Sequence, residues 1–205
     1  MAYTTPAPID KELIGSSGRF YERCLQGQLY SFGVGSTALV ANNATATVLG
    51  ATAKPVIGIY NPKASPVNLV VLQTAVIVSN VSSSTVDSQT FAWVYQTAQA
   101  ISTGSTPIQR NLGSSNTAQA LAFACGTALT GLASNLIIAH PLASGAPVTP
   151  QPATSTSMFG SPWVEENNGS WIVPPGGFLG VMNTVSTTTM AVSPFIMWAE
   201  LPAQG

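Results

Sequence analysis

Beyond residue 23 short apolar runs alternate with clusters of Gly, Pro, Asn and Ser. Turn signals fall roughly every 8–12 residues, the spacing of a β-sandwich or barrel. Residues 29–32 form an apolar run closed by Gly33 and Gly35, and residues 44–49 alternate small and polar positions. Residues 55–60 predict a strand ended by Asn61-Pro62, a strong turn signal. The clearest strand is 68–78, whose unbroken apolar run predicts burial on both faces, with a turn at 79–84. Phe91, Trp93 and Tyr95 alternate with Ala92 and Val94, placing three aromatics on one strand face. Residues 102–107 and 113–116 read as turns, and 136–139 as a short strand closed by His140-Pro141. Residues 143–162, rich in Ala, Ser, Thr and Pro, read as a long loop of the kind that often binds. Pro174-Pro175-Gly176-Gly177 is a tight turn, 178–182 a strand and 183–189 another turn region. The last strand, 190–201, puts Val192, Ile196 and Trp198 on one face. No helix–strand alternation suggests a parallel sheet. The pattern predicts an all-β fold: an antiparallel β-sandwich or jelly-roll-like domain over 24–205, preceded by an extended N-terminal arm over 1–23.

The arm divides into a Pro-containing extended stretch at 3–8, a short helical turn at 10–14 and a hinge at 15–18. Arg19, Phe20, Tyr21 and Arg23 follow, aromatics among charges, and are the expected contacts of the arm with a neighbour. An arm with no core of its own must lie on the domain or on another chain.

Charge changes the picture most. Only 6% of the 205 residues are Asp, Glu, Lys or Arg, against about 25% in an ordinary soluble domain. Six of these 13 residues lie between Asp10 and Arg23; from Cys24 to Val164 there are only Lys54, Lys63, Asp87 and Arg110. The hydrophobic fraction is 45% and the net charge −1, so the deficit is not a mark of disorder. A free monomer stays apart from its neighbours through surface charge, so this composition points to a surface covered by copies of itself or by a larger assembly. The absence of a basic cluster argues against nucleic-acid binding. No charged stretch leading into an apolar run is present at the N-terminus, so no secretory signal is expected. Residues 116–139 are uncharged, but Asn, Gln, Thr and Gly interrupt them. They read as two adjoining β segments, or a strand and a short helix, rather than a membrane span.

Candidate chemistry is sparse. His140 is the only histidine, with no Gly-x-Ser-x-Gly elbow to recruit it. Glu165 and Glu166 are adjacent, so on a strand they point to opposite faces and read as an exposed loop tip beside Asn167-Asn168-Gly169, not as a hydrolytic pair. Cys24 and Cys125 read as free thiols, too few for a zinc site. Gly33-x-Gly35 and Gly176-Gly177 lack the Lys and helix start of a phosphate loop. The stripe Phe91/Trp93/Tyr95 is core on an internal strand; facing water, it would stack on sugar rings. No catalytic, cofactor, metal or small-molecule substrate site is expected.

Two groups of motifs carry a family resemblance. Ile57-Gly-Ile-Tyr-Asn-Pro-Lys-Ala-Ser65 leads to Asn68-Leu-Val-Val-Leu72, and Val173-Pro-Pro-Gly-Gly-Phe178 precedes the ending Trp198-Ala-Glu-Leu-Pro202. Together they resemble virion structural proteins of tailed bacteriophages, over about half of the chain. The resemblance implies a sandwich or jelly-roll domain, often trimeric, seated on a head or tail, with an arm lashing it to capsid subunits. The expected function is a capsid decoration or cement protein, partnered by itself as a homotrimer and by the major capsid protein, and located in the virion. The alternatives are a tail, neck or head-fibre component using loop 143–162 for host binding, and a carbohydrate-binding module or enzyme using Trp163 and Trp171 beside Glu165 and Glu166.

Overall fold

A computed structural model describes residues 21–35, 37–38, 44–45, 48–49, 55–81, 90–97, 107–124, 136–144, 163–183 and 190–203. One short helix, α1 (Tyr21–Leu25), precedes strands β1 (Leu29–Gly33), β2 (Thr37–Ala38), β3 (Ala44–Thr45), β4 (Val48–Leu49) and β5 (Ile57–Tyr60). Strands β6 (Val67–Val81), β7 (Thr90–Gln96), β8 (Ile108–Gln109), β9 (Leu121–Ala124) and β10 (Leu136–Ser144) follow. The chain continues through β11 (Trp163–Glu165), β12 (Trp171–Val173), β13 (Phe178–Asn183) and β14 (Met190–Pro202). They form two seven-stranded antiparallel sheets packed as a β-sandwich. In the first, β6 and β14 are the central pair, with β11 and β12 along one side of β6 and β1, β2 and β8 beyond β14. The second runs β3-β4-β10-β7-β13-β5-β9. Among the described residues no helix is long and apolar enough to cross a membrane.

Several strands differ from the sequence expectation for identifiable reasons. Residues 44–49 hold two short strands, β3 and β4, paired with each other. β6 runs through Val81, past the turn expected from residue 79, because β14 continues to pair with it as far as Met190. β10 does not end at His140-Pro141 but continues to Ser144, its register against β7 slipping between Ile138 and His140 and again between Pro141 and Ala143. These bulges accommodate Pro141, which has no N–H to give a regular ladder. The helical turn at 10–14, most of the turns at 79–84, 102–107 and 183–189, Cys125 and residues 145–162 of the expected loop lie outside the described residues.

β6 is not buried on both faces. Leu69, Val71, Thr74 and Val76 face the core, while Val70 and Leu72 are half-buried and Ile77 is 38% exposed. The buried set shifts phase between Val71 and Thr74 because Leu72 has no partner: Val71 pairs with Trp198 and Gln73 with Met197. A bulge moves every later side chain to the other face. The segment joining β11 to β12 fits this bulge, with the Asn168 N–H donating to Leu72 O (3.0 Å) and the Gly169 N–H to Val71 O (2.8 Å). Asn168 (φ 54°) and Gly169 (φ 83°) make the turn, a conformation that Gly adopts freely and Asn tolerates. β11 and β12 are thus one edge strand interrupted at the bulge.

The core between the sheets joins Ile57, Ile59, Trp93, Leu179 and Val181 of one sheet to Tyr30, Leu69, Val71, Ile196 and Trp198 of the other. Tyr30 lies directly across from Trp198, and their rings stack at 6.2 Å; such cross-strand pairs are a main source of sheet stability. The second sheet is also buried on its other face, where Tyr60, Phe123, Phe178 and Met182 are each at most 2% exposed. A Cβ at Gly180 or Gly58 would come within about 3 Å of the Phe178 ring, at 2.9 and 3.0 Å. These glycines make room for a ring lying across the sheet.

Two of the crossings between the sheets, β5 to β6 and β12 to β13, meet at Asn61, which is fully buried. Its Nδ2 donates to Val67 O (2.7 Å) at the start of β6 and to Val173 O (3.0 Å) at the end of β12. Its backbone N–H donates to Gly177 O (2.9 Å), and its carbonyl accepts from the Gly176 N–H (2.7 Å). The Asn-Pro and Pro-Pro-Gly-Gly turns, separate in the sequence, are one knot. Asn61→Ala removes the amide donor from both carbonyls, leaving Val67 O only the Ser65 hydroxyl, and is expected to cost about 2–4 kcal/mol by urea denaturation. Asn61→Asp, which turns a carboxylate against those carbonyls, should cost more at neutral pH and recover part of the loss on acidification.

Candidate functional site

The four expected arm contacts divide at the edge of the described residues. Arg19 and Phe20 lie outside them, Tyr21 is the first residue of α1, and half-buried Arg23 donates from Nη1 to Gln28 Oε1 (3.0 Å). α1 ends on Gly27 (φ 65°). The Gly27 N–H donates to Cys24 O and the Gln28 N–H to Arg23 O, both at 2.9 Å, which is a Schellman cap. A loop from β8 closes this cap: Asn111 Nδ2 donates to Leu25 O and Asn116 Nδ2 to Gly27 O. A Cβ at Gly27 would lie 2.4 Å from Ser114 Oγ. α1 is therefore fixed to the loop after β8 by hydrogen bonds from neutral amides. Cys24, half-buried, is a free thiol.

The carboxylates do not converge. Glu165 Oε2 accepts from Trp93 Nε1 (3.0 Å), and Glu166 accepts from Gln73 Nε2. The expectation of an exposed acidic tip holds for Glu166 and Asn168 and is corrected for the other two: Glu165 is half-buried, and Asn167 is 3% exposed, its Oδ1 taking the Thr74 hydroxyl. Buried polar groups seek hydrogen bonds, and Trp93 on β7 and Thr74 on β6 donate them to Glu165 and to the Asn167 carbonyl oxygen. His140 sits on β10 opposite Trp93. Among the described residues no three His, Cys, Asp or Glu side chains gather to hold a metal ion.

Glu200, on β14, is the acid that sequence reasoning left without a role. It is 6% exposed, and its carboxylate accepts the N–H groups of Gln119 (2.9 Å) and Ala120 (3.1 Å) and the Trp198 indole N–H (3.4 Å). It ties the start of β9, in one sheet, to the last strand of the other. An acid inside an apolar strand is the signal that could have revealed it, since a buried carboxylate must find donors. Burial raises its pKa above the ordinary 4.5, against the lowering effect of these three donors.

Two surfaces remain open. On the outer face of the first sheet Val164 is 50% and Ile172 60% exposed, beside Ile77 and half-buried Phe195. Phe195, Ala75 and Val164 form one row across β14, β6 and β11. A cleft of about 250 Å³ opens between the end of β7, β12 and the turn into β13. The aromatic stripe on β7 divides accordingly: Phe91 and Trp93 are core, while Tyr95 reaches water at the cleft. Comparisons with protein families, curated proteins and solved structures return no match to this chain.

Glu200→Ala strands three N–H donors and is expected to cost about 2–4 kcal/mol at neutral pH in urea denaturation. Glu200→Gln keeps an acceptor and removes the titration. Between pH 4.5 and its raised pKa the folded chain holds a proton that the unfolded chain has released. The contribution of Glu200 to stability therefore falls as pH rises through that window. Urea midpoints of the wild type measured against Glu200→Gln should decline across the same window and level off above it.

Proposed function

We propose that this protein is a virion structural component that decorates and cements a capsid, acting as a symmetric oligomer, with a trimer as the expected form. The observation that carries the reading is a charge-poor, partly apolar surface on a chain with 6% charged residues. Val164 and Ile172 stand exposed on a sheet face that an isolated molecule would leave to water. Interface cores are depleted in charge and enriched in apolar groups, and Ser/Thr-rich surfaces hydrogen-bond across subunits without the desolvation cost of ions. The resemblance of the turn motifs to phage virion proteins supports the same reading. The sheet face around Val164 serves contact between copies, and the arm rooted at α1, with Arg19, Phe20, Tyr21 and Arg23, reaches the major capsid protein. Its action is mechanical: binding only the assembled state raises the free energy of taking it apart.

Capsids carrying this protein should withstand higher urea than capsids lacking it, by loss of intact particles in light scattering; equal resistance contradicts the cement role. Val164→Asp, at an exposed position, should leave the circular dichroism spectrum unchanged and lower the oligomer mass.

A further inference from the structure

The cleft at the end of β7 is an uncharged aromatic recess with rigid walls, a feature that assembly does not explain. We infer that it binds a single neutral, hydroxylated ring, one pyranose unit of a glycan. The inference is independent of the cement reading.

Tyr95, on one sheet, and Trp171, on the other, bring aromatic rings to the cleft. Tyr95 is 36% exposed, an open aromatic side chain at this recess. The other contributions are Gln96 and Thr97 from β7, and Pro174 and Gly177 from the turn. Among the described residues no Asp, Glu, Lys, Arg or His lines the cleft, so the ligand it suits carries no charge to be balanced. Aromatic rings present flat, electron-rich faces to the C–H groups of a pyranose, while Thr97 and the Tyr95 hydroxyl offer hydrogen-bonding groups at the rim.

The walls are held in place before any ligand arrives. The Trp171 ring packs against Trp93 at 5.9 Å, and the Trp93 indole is itself fixed by Glu165 at 3.0 Å. The opposite wall, Pro174–Gly177, is closed by the Gly177 N–H donating to Pro174 O and is tied to Asn61. A site ordered in advance loses little entropy on binding. The volume of about 250 Å³ lies below the usual range for drug-sized ligands, which suits one ring. A proline-rich peptide would need a longer groove with successive aromatic pockets.

The test is a neutral and acidic glycan array probed with the isolated chain, followed by saturation-transfer NMR with the best neutral oligosaccharide and with a Pro-Ala-Pro peptide. Expected are signals for neutral glycans, saturation centred on one terminal ring, and affinity reduced about tenfold or more in Tyr95→Ala. Because Tyr95 is partly exposed, that variant should fold normally; Leu112→Ala, fully outside the cleft, serves as a control with unchanged affinity. Thr97→Ala gives a second reading if Tyr95→Ala fails to fold. Absence of any neutral-glycan signal, binding that survives both substitutions, or preference for the peptide overturns the inference. None of these outcomes bears on particle stability, so the assembly reading stands or falls separately.

Discussion

The side chain of Asn61 donates both of its amide hydrogens to carbonyls at two places where the chain passes between sheets, β5 to β6 and β12 to β13. The turn after β5 and the turn before β13 are thereby locked to each other, and with them the spacing of the sandwich. The same economy recurs elsewhere. Neutral amides from Asn111 and Asn116 close the end of α1, and N–H groups alone satisfy the buried Glu200 carboxylate. Among the described residues these buried contacts use neutral donors, which avoids the desolvation penalty of an ion pair.

That choice has an outward consequence. A fold assembled with so few ions also has few to place on its surface, and the outer face of β6, β11 and β12 shows it. The apolar run of β6 supplies the core on one side and leaves Val70, Leu72 and Ile77 only partly covered on the other. Large exposed apolar patches on soluble proteins mark surfaces meant for contact. The capped helix α1 and the open sheet face are separate features of the surface.

Much of the fold was legible in the sequence. The β5, β7 and β14 patterns and the Asn-Pro and Pro-Gly turns each reappear, because period-two alternation and turn chemistry act locally. What stayed hidden depends on pairing. The continuous apolar run of β6 could not show that Leu72 is skipped by β14, which inverts the inward face at Thr74. Pro141 read as a strand end because a bulge that absorbs it is visible only beside β7. Glu165 looked like part of an exposed tip until Trp93 was placed beneath it. Tyr95 shares its strand face with Trp93, and only the position of β12 separates the core residue from the one at the cleft.

The account turns on whether the uncharged surface is covered in the protein's working state. Size-exclusion chromatography with multi-angle light scattering on the full-length chain measures this directly. The account predicts a closed oligomer, three times the 21.1 kDa mass of one chain, that persists on dilution. A monodisperse, freely soluble particle of single-chain mass at high protein concentration would contradict it.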